Sequence, residues 1–156
     1  MEINRESFIK IKEKAEKLYL EKKEIYCPYF QKKVILNSDG FHHLQFSNRR
    51  ERNKNEQFLK FRLLQLALEI IGKSGTIQEY RKILMPIGKK SKQDGFVKMK
   101  EVEFWGLVAI VGERSKKIKA ILRRVGDGNI TFWSVMPYSK IKNGEQKIFT
   151  EGIEED

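Results

Sequence analysis

The hydrophobic pattern divides the chain into a helical first half and a strand-rich second half. In residues 4–23 and 55–72, apolar positions recur at the i, i+3, i+4 spacing of a buried helix face. The second segment has the wider apolar stripe and ends at Gly72, so we predict a central helix there. A capping-box spacing predicts a further short helix over residues 76–81.

From residue 96 onward the pattern becomes that of β-strands. Polar and apolar residues roughly alternate over 96–104, and 105–111 is nearly all apolar, which is typical of a central strand. Two more strands are predicted at 117–125 and 129–136, joined by the hairpin signal Gly126-Asp127-Gly128. Helices followed by strands predict an α+β fold, in which N-terminal helices pack on a four-stranded antiparallel sheet.

The segment between the two long helices contains a short strand and a turn. Val34–Leu36 has the apolar character of a strand, and Asn37-Ser38-Asp39-Gly40 is a turn signature. The pattern leaves open whether residues 41–46 continue as an extended segment or begin a helix.

Length and composition predict one globular domain. The 156 residues are 40% hydrophobic, enough for a buried core. We assign the domain to residues 1–150 and expect the acidic residues 151–156 to form a flexible tail. The single cysteine, Cys27, excludes an internal disulfide. No apolar run approaches the ~18–20 residues of a membrane span, and no apolar signal core follows Met1, so a cytoplasmic location is expected.

The charge of the chain favours a polyanionic partner. Lys and Arg exceed Asp and Glu by 32 − 21 = 11. Such a field attracts nucleic acid, an anionic membrane or an acidic protein. One cysteine and two adjacent histidines lack the spacing of a zinc site, and the acidic residues form no tight carboxylate motif, so no metal or cofactor is predicted.

The candidate chemistry begins at the two histidines of the chain, His42 and His43, which stand side by side before a basic run. Histidine exchanges a proton near neutral pH, and arginine neutralises phosphates. The combination indicates a protein that binds RNA and cuts it without a metal, although a histidine pair at a strand end is also common as a plain polar edge. The basic run, residues 48–54, contains Arg49, Arg50 and Arg52.

The last hairpin offers a second candidate surface. The two strands of this hairpin can pair in two registers that differ by one residue. We prefer the register that pairs Val125 with Asn129, because it separates the apolar and polar side chains better between the two faces. Its core-facing pairs are Leu122–Phe132, Ala120–Ser134 and Ile118–Met136. Its other face is expected to be open and to carry Lys119, Arg123, Thr131 and Trp133. Bases stack on an indole while cations hold phosphates, so this face suits RNA. Arg124 is a further cation at the end of the strand.

An Asn/Asp-Gly turn precedes Phe41-His42-His43-Leu44, and an arginine-rich loop and an apolar helix follow. The predicted β-meander follows, and it contains the sequences KIKAILRRVG at residues 117–126 and ITFWSV at residues 130–135. This order resembles the phage-borne branch of the barnase–EndoU–colicin–RelE (BECR) ribonuclease superfamily, over about residues 30–140. Its members have a strand, a turn and a His followed by Ile or Leu, then helices and a four-stranded sheet with late Arg and Thr/Ser positions.

The resemblance implies an endoribonuclease toxin with a barnase/RelE-like fold. His43 would be the family histidine and act as base or acid, and the RNA 2′-hydroxyl would attack to leave a 2′,3′-cyclic phosphate. The catalytic candidates are His43, His42, Arg50, Arg123, Thr131 and Ser134. The RNA-binding candidates are Arg49, Arg52, Lys119, Arg124, Trp133 and Tyr138, of which Tyr138 is also a candidate for proton transfer.

Two other functions fit the same sequence. A non-catalytic nucleic-acid-binding protein would use the cations but not the histidines. A protein-interaction module of phage or mobile-element origin would bind one acidic partner and little RNA. The expected partners are therefore RNA and an acidic antitoxin or immunity protein, which would cover the basic face of a toxin.

Overall fold

The computed structural model describes residues 4–47, 50–88, 91–111, 116–137, 139–142, 145–148 and 153–156. The helices are α1 (Arg5–Lys22), α2 (Ser38–His43) and α3 (Lys54–Lys73), and a 3₁₀ turn spans Ile153–Glu155. The strands are β1 (Glu24–Cys27), β2 (Lys32–Ile35), β3 (Glu79–Ile87), β4 (Lys98–Val111), β5 (Lys116–Val125), β6 (Thr131–Pro137), β7 (Ser139–Lys142) and β8 (Glu145–Ile148).

Among the described residues, the main sheet has six strands in the order β1-β2-β6-β5-β4-β3, and β7 and β8 form a separate two-stranded sheet. Neighbouring strands of the main sheet are antiparallel except β2 and β6, which meet in a parallel pairing of Ile35 with Thr131. The predicted α+β class is confirmed. The predicted four-stranded antiparallel sheet is wrong, because β3 adds a strand beside β4, and the β1–β2 hairpin extends the sheet beyond β6 and makes it mixed.

The structure also differs from the predicted strands over 96–111 and from the predicted helix over 76–81. Residues 98–111, from both predicted segments, form one continuous strand, β4, instead of two. The helix predicted over 76–81 is absent, since Glu79 begins β3 and pairs with β4 along the length of the strand. The capping-box spacing is a local signal, whereas Ile83, Met85 and Ile87 pack on an apolar cluster of the sheet and favour the extended form.

Asparagine side chains begin all three helices that the structure describes. Asn4 accepts a hydrogen bond from the main-chain N–H of Glu6, and Asn53 accepts one from Glu56. Asn37 accepts one from Gly40 at 3.1 Å, so the predicted turn at 37–40 is the cap and first turn of α2. Residues 41–43 therefore continue a helix.

The core lies on both faces of the sheet. On one face α1 and α3 cover the side chains of Leu107, Ala120, Leu122, Phe132 and Val135. On the opposite face Val102, Phe104, Ile121 and Trp133 form a smaller apolar cluster with Ile153. We call this the second-face cluster. The face expected to be open is therefore partly covered in the structure.

A β-bulge decides which side chains of the last hairpin reach which face. The predicted pairs Leu122–Phe132 and Arg123–Thr131 are confirmed. A register shift between Ile121 and Leu122 then makes Trp133 the extra residue of β6. Beyond it the predicted pairs are wrong by one residue: Ala120 lies opposite Val135 and Ile118 opposite Pro137. The prediction assumed that successive side chains alternate strictly between the two faces, and a bulge interrupts that alternation.

The acidic end of the chain differs from the flexible tail expected for residues 151–156. Ile153 is 1% exposed and packs in the second-face cluster. The side chain of Asp156 is 11% exposed and contacts buried cations. We call Ile153–Asp156 the acidic segment. Within the described residues, no helix is long and apolar enough to cross a membrane.

Gly40 fixes how closely α2 approaches β6, and its substitution should destabilise the fold. A Cβ at this position would overlap the main-chain oxygen of Phe132 and lie 2.7 Å from the Tyr19 hydroxyl. We expect Gly40→Ala to lower the free energy of unfolding in urea by about 1–3 kcal/mol, as overpacking does. Gly75→Ala is the matched control, because its Cβ would meet nothing within 4 Å. Equal stabilities of the two variants would contradict the close approach.

Candidate functional site

His43 is the last residue of α2, and its imidazole points into the protein. The residue is 2% exposed, and its ring stacks on the Trp133 indole with ring centroids 3.8 Å apart. A helix of six residues is not stable alone. The Asn37 cap and the packing of Gly40 against β6 therefore hold the histidine in place.

Trp133 contacts a cation as well as the histidine. The Arg123 guanidinium carbon lies 3.7 Å from the indole centroid, a cation–π distance. Arg123 Nε is buried and has no hydrogen-bond partner among the described residues. Because Trp133 is 8% exposed and contacts both groups, its faces are not open for stacking with a nucleic-acid base.

Arg52 ties His43 to the start of α3. Its Nε donates to the main-chain oxygen of His43 at 2.9 Å, and one terminal nitrogen lies 3.1 Å from His43 Nε2. The other terminal nitrogen donates to Glu56 at 2.9 Å. A guanidinium only donates, so His43 Nε2 accepts and the proton of the neutral ring is on Nδ1.

Lys60 is a buried cation in the middle of α3. The residue is 4% exposed, and its Nζ donates to Ser134 Oγ at 3.0 Å and to the main-chain oxygen of Val135 at 2.8 Å. The same Nζ lies 3.1 Å from the nearer carboxylate oxygen of Asp156. Lys60 thus joins α3, β6 and the acidic segment at one point.

The carboxylate of Asp156 is the anion at the centre of this cluster. One of its oxygens lies 3.1 Å from Lys60 Nζ, 3.6 Å from a terminal nitrogen of Arg52 and 3.9 Å from His43 Nε2. Arg52 also donates to the main-chain oxygen of Asp156 at 2.8 Å. We call His43, Arg52, Lys60, Ser134 and Asp156 the buried anion site.

The surroundings shift the pKa values of these groups. Burial, reinforced by the charge of Arg52, lowers the pKa of His43 to about 3, so the ring is neutral at physiological pH. Burial also lowers the pKa of Lys60, and the Asp156 carboxylate offsets part of that effect. For Asp156 burial alone would raise the pKa, but Lys60 and Arg52 outweigh burial and hold it below its usual range.

The structure brings together five of the residues singled out in the sequence. His43, Ser134 and Arg52 belong to the buried anion site. Trp133 adjoins the site by stacking on His43, and Arg123 adjoins Trp133. These five come from α2, the loop before α3, β5 and β6. The fold therefore brings basic and polar side chains that are far apart in the sequence close to the imidazole of His43.

The other described candidates lie in separate contacts. Arg50 is exposed and donates to the main-chain oxygen of Glu51. Arg124 binds Glu103, Lys119 forms an ion pair with Glu79, and the Thr131 hydroxyl donates to the main-chain oxygen of Arg123 at 3.1 Å. Arg49 and Tyr138 fall outside the described residues.

His42 points away from the buried anion site. Its ring stacks on Phe46 with centroids 4.5 Å apart. It also lines an open groove of about 610 Å³ between α1 and α2, together with Tyr19, Phe41 and Gln45. The adjacent histidines therefore have different surroundings, and His43 is the one that meets the cations.

Sequence reasoning missed Lys60 and Asp156. Lys60 stands in the apolar stripe of α3, one helical turn after Gln57 and before Leu64, and all three are buried. A lysine on the core-facing stripe of a helix is a detectable signal, because buried lysines are rare without a partner. Asp156 carries no such signal, since it lies among other acidic residues after the last predicted strand.

No protein-family model, curated protein or solved structure matches the chain. The described residues contain no group of three or more His, Cys, Asp or Glu side chains that could hold a metal ion. The groups that the site itself offers are a neutral imidazole, two buried cations, a hydroxyl and a carboxylate.

His43 should make the fold sensitive to mild acid. As the pH falls below about 6.5, the unfolded chain takes up a proton that the folded His43 does not take until about pH 3. Stability contributed by the neutral ring is thus present above pH 6.5 and is lost as the pH falls towards 3. We expect a loss on the order of a few kcal/mol, at about 1.4 kcal/mol per pKa unit.

The measurement is urea unfolding between about pH 7 and 4.5, above the ordinary range of carboxyl groups. His43→Gln should flatten the pH dependence in this window, whatever its stability at neutral pH. His42→Gln should keep the dependence, because His43 is retained. An unchanged slope in His43→Gln would show that other groups cause the acid sensitivity.

Proposed function

We propose that the protein is a metal-independent endoribonuclease of barnase/RelE-like type, with its reaction centre at the buried anion site. The observation that carries the proposal is the position of the Asp156 carboxylate, 3.1 Å from Lys60 and 3.9 Å from the neutral ring of His43. An anion beside a proton acceptor and two cations is the arrangement that phosphodiester cleavage requires. The excess of 11 basic residues supports a polyanionic substrate.

The proposed reaction uses the nucleophile that RNA carries. The 2′-oxygen loses its proton to a base and bonds to the adjacent phosphorus, and the bond from phosphorus to the 5′-oxygen breaks. A proton is delivered to that 5′-oxygen. The products are a 2′,3′-cyclic phosphate and a 5′-hydroxyl, and no redox partner or metal takes part.

His43 is the proposed base. Its Nε2 lone pair faces the anion and the Arg52 guanidinium. The low pKa of the ring makes it a weak base in the structure as it stands. The phosphorane that forms in the reaction carries one more negative charge than the phosphodiester, and this added charge next to the ring favours the protonated imidazole and raises its pKa.

Lys60 is the proposed acid for the leaving 5′-oxygen. Burial lowers its pKa, which makes the ammonium group a better proton donor. Arg52 stabilises the charge that develops on the phosphorane, and the Ser134 hydroxyl supplies a hydrogen bond next to Lys60. Trp133 positions the His43 ring by stacking and does not itself bind a base.

A non-catalytic RNA-binding role is the second candidate, and one observation favours it. His43 is 2% exposed, and both its ring face and its Nε2 are already occupied by contacts within the protein. In that case the imidazole and Lys60 hold the domain together. RNA would bind to exposed cations, with an affinity that falls steeply with salt.

Incubation of the purified protein with total RNA and tRNA in EDTA tests the ribonuclease. We expect cleavage with 2′,3′-cyclic phosphate ends, and a rate ~10²–10⁴ lower for His43→Gln, the usual loss on removal of a general base. His42→Gln is the matched control and should keep the wild-type rate. Circular dichroism of each variant shows that the fold is retained.

Intact RNA with both the wild type and Asp156→Asn, in which the central carboxylate is neutralised, would reject the ribonuclease. Salt-sensitive RNA binding in the same samples would then support the non-catalytic role. Cleavage that survives in His43→Gln would place the chemistry elsewhere in the protein.

A further inference from the structure

The acidic segment occupies the buried anion site, and it is anchored there at two points. Ile153 packs in the second-face cluster, 3.6 Å from the position a Cβ on Gly106 would take. Asp156 then reaches Lys60 with its carboxylate and Arg52 with its main-chain oxygen. Between them a carboxylate oxygen of the largely buried Glu154 lies 3.8 Å from Nε of the exposed Arg81.

The charges of the site require an anion at this position. Arg52 has a second carboxylate partner, Glu56, at 2.9 Å. Asp156 is the carboxylate that contacts Lys60 among the described residues, and both side chains are largely buried. A buried lysine without a counterion is strongly destabilising, so an anion has to replace the carboxylate whenever it leaves.

The groups around the carboxylate are also those that bind phosphate. They include an ammonium group, a guanidinium that presents more than one N–H, and the Ser134 hydroxyl, which hydrogen-bonds the carboxylate. A phosphodiester, like a carboxylate, carries one negative charge that two oxygens share. The same donors can therefore satisfy either anion.

We propose that the pocket formed by Arg52, Lys60 and Ser134 is a phosphodiester-binding site, and that Asp156 is an internal competitor displaced by an RNA backbone phosphate. This inference rests on the proposed function, because it assigns the phosphate of the substrate to the same pocket. The protein then exists in a closed form, with Asp156 bound, and an open form that binds RNA. The apparent affinity for RNA is reduced by the fraction of protein that is closed.

The test is the binding of a 2′-deoxy-substituted oligoribonucleotide to the full chain. This probe lacks the 2′ nucleophile, so its binding is measured without cleavage. We expect Asp156→Asn to bind it about 5- to 150-fold more tightly than the wild type, the range of typical coupling between two sites. Glu154→Gln is the matched control, since it removes the same charge from the same segment and should stay close to wild type.

Lys60→Met in the Asp156→Asn background should abolish the gain, because it removes the cation that the phosphate would contact. Ile153→Ala provides a second route to the open form. It loosens the anchor of the segment, keeps the carboxylate and should also tighten binding. Ile153→Ala decides the question if Asp156→Asn does not fold.

Equal binding by Asp156→Asn and Glu154→Gln would overturn the proposal and leave Lys60–Asp156 as a purely structural ion pair. Inorganic phosphate that competes as well as the oligonucleotide, at equal concentration, would also overturn it, since the pocket would then be a site for free phosphate. Tighter binding without cleavage of natural RNA would reject the ribonuclease alone. His43-dependent cleavage with unchanged binding would reject the competitor alone.

Discussion

Lys60 lies in the middle of α3 with its ammonium group buried among α3, β6 and the acidic segment. A charge in that position is tolerated only when every proton of the ammonium group has an acceptor. Ser134, Val135 and Asp156 supply these acceptors. The need to satisfy one buried lysine therefore fixes the place where β6 meets α3 and where Ile153–Asp156 packs.

The bulge at Trp133 decides which face of the sheet the Ser134 side chain takes. A regular β6 would place Trp133 and Ser134 on opposite faces in strict alternation. Because Trp133 is the extra residue of the ladder, Ser134 lies opposite Ile121 of the second-face cluster, on the same face as Trp133. From there the Ser134 hydroxyl accepts from Lys60, and the indole contacts His43 and Arg123. Bulges commonly redirect a side chain in this way. A single inserted residue thus connects the buried cation with the imidazole.

The sequence predicted the elements whose apolar residues recur with a strong period. It also drew attention to His43, because histidine can exchange a proton near neutral pH. The stripe of α3, the hairpin turn at 126–128 and the pair Arg123–Thr131 are found as expected. The β1–β2 hairpin, the bulge and the position of Asp156 were not predicted, because each is set by contacts between residues far apart in the chain. His43 was predicted from its chemistry, but its burial depends on Trp133 and no local pattern reports it.

The long-range charge and the buried charges have different consequences for an approaching polyanion. The net charge of +11 acts at a distance, is screened by salt and attracts any nucleic acid. Arg52 and Lys60 are shielded from salt, and a bound anion already neutralises them. An RNA phosphate gains nothing from these two cations unless it replaces the Asp156 carboxylate. Under the proposed function, attraction and selection are therefore separate steps, because surface charge attracts polyanions while displacement of the Asp156 carboxylate decides whether a phosphate reaches His43.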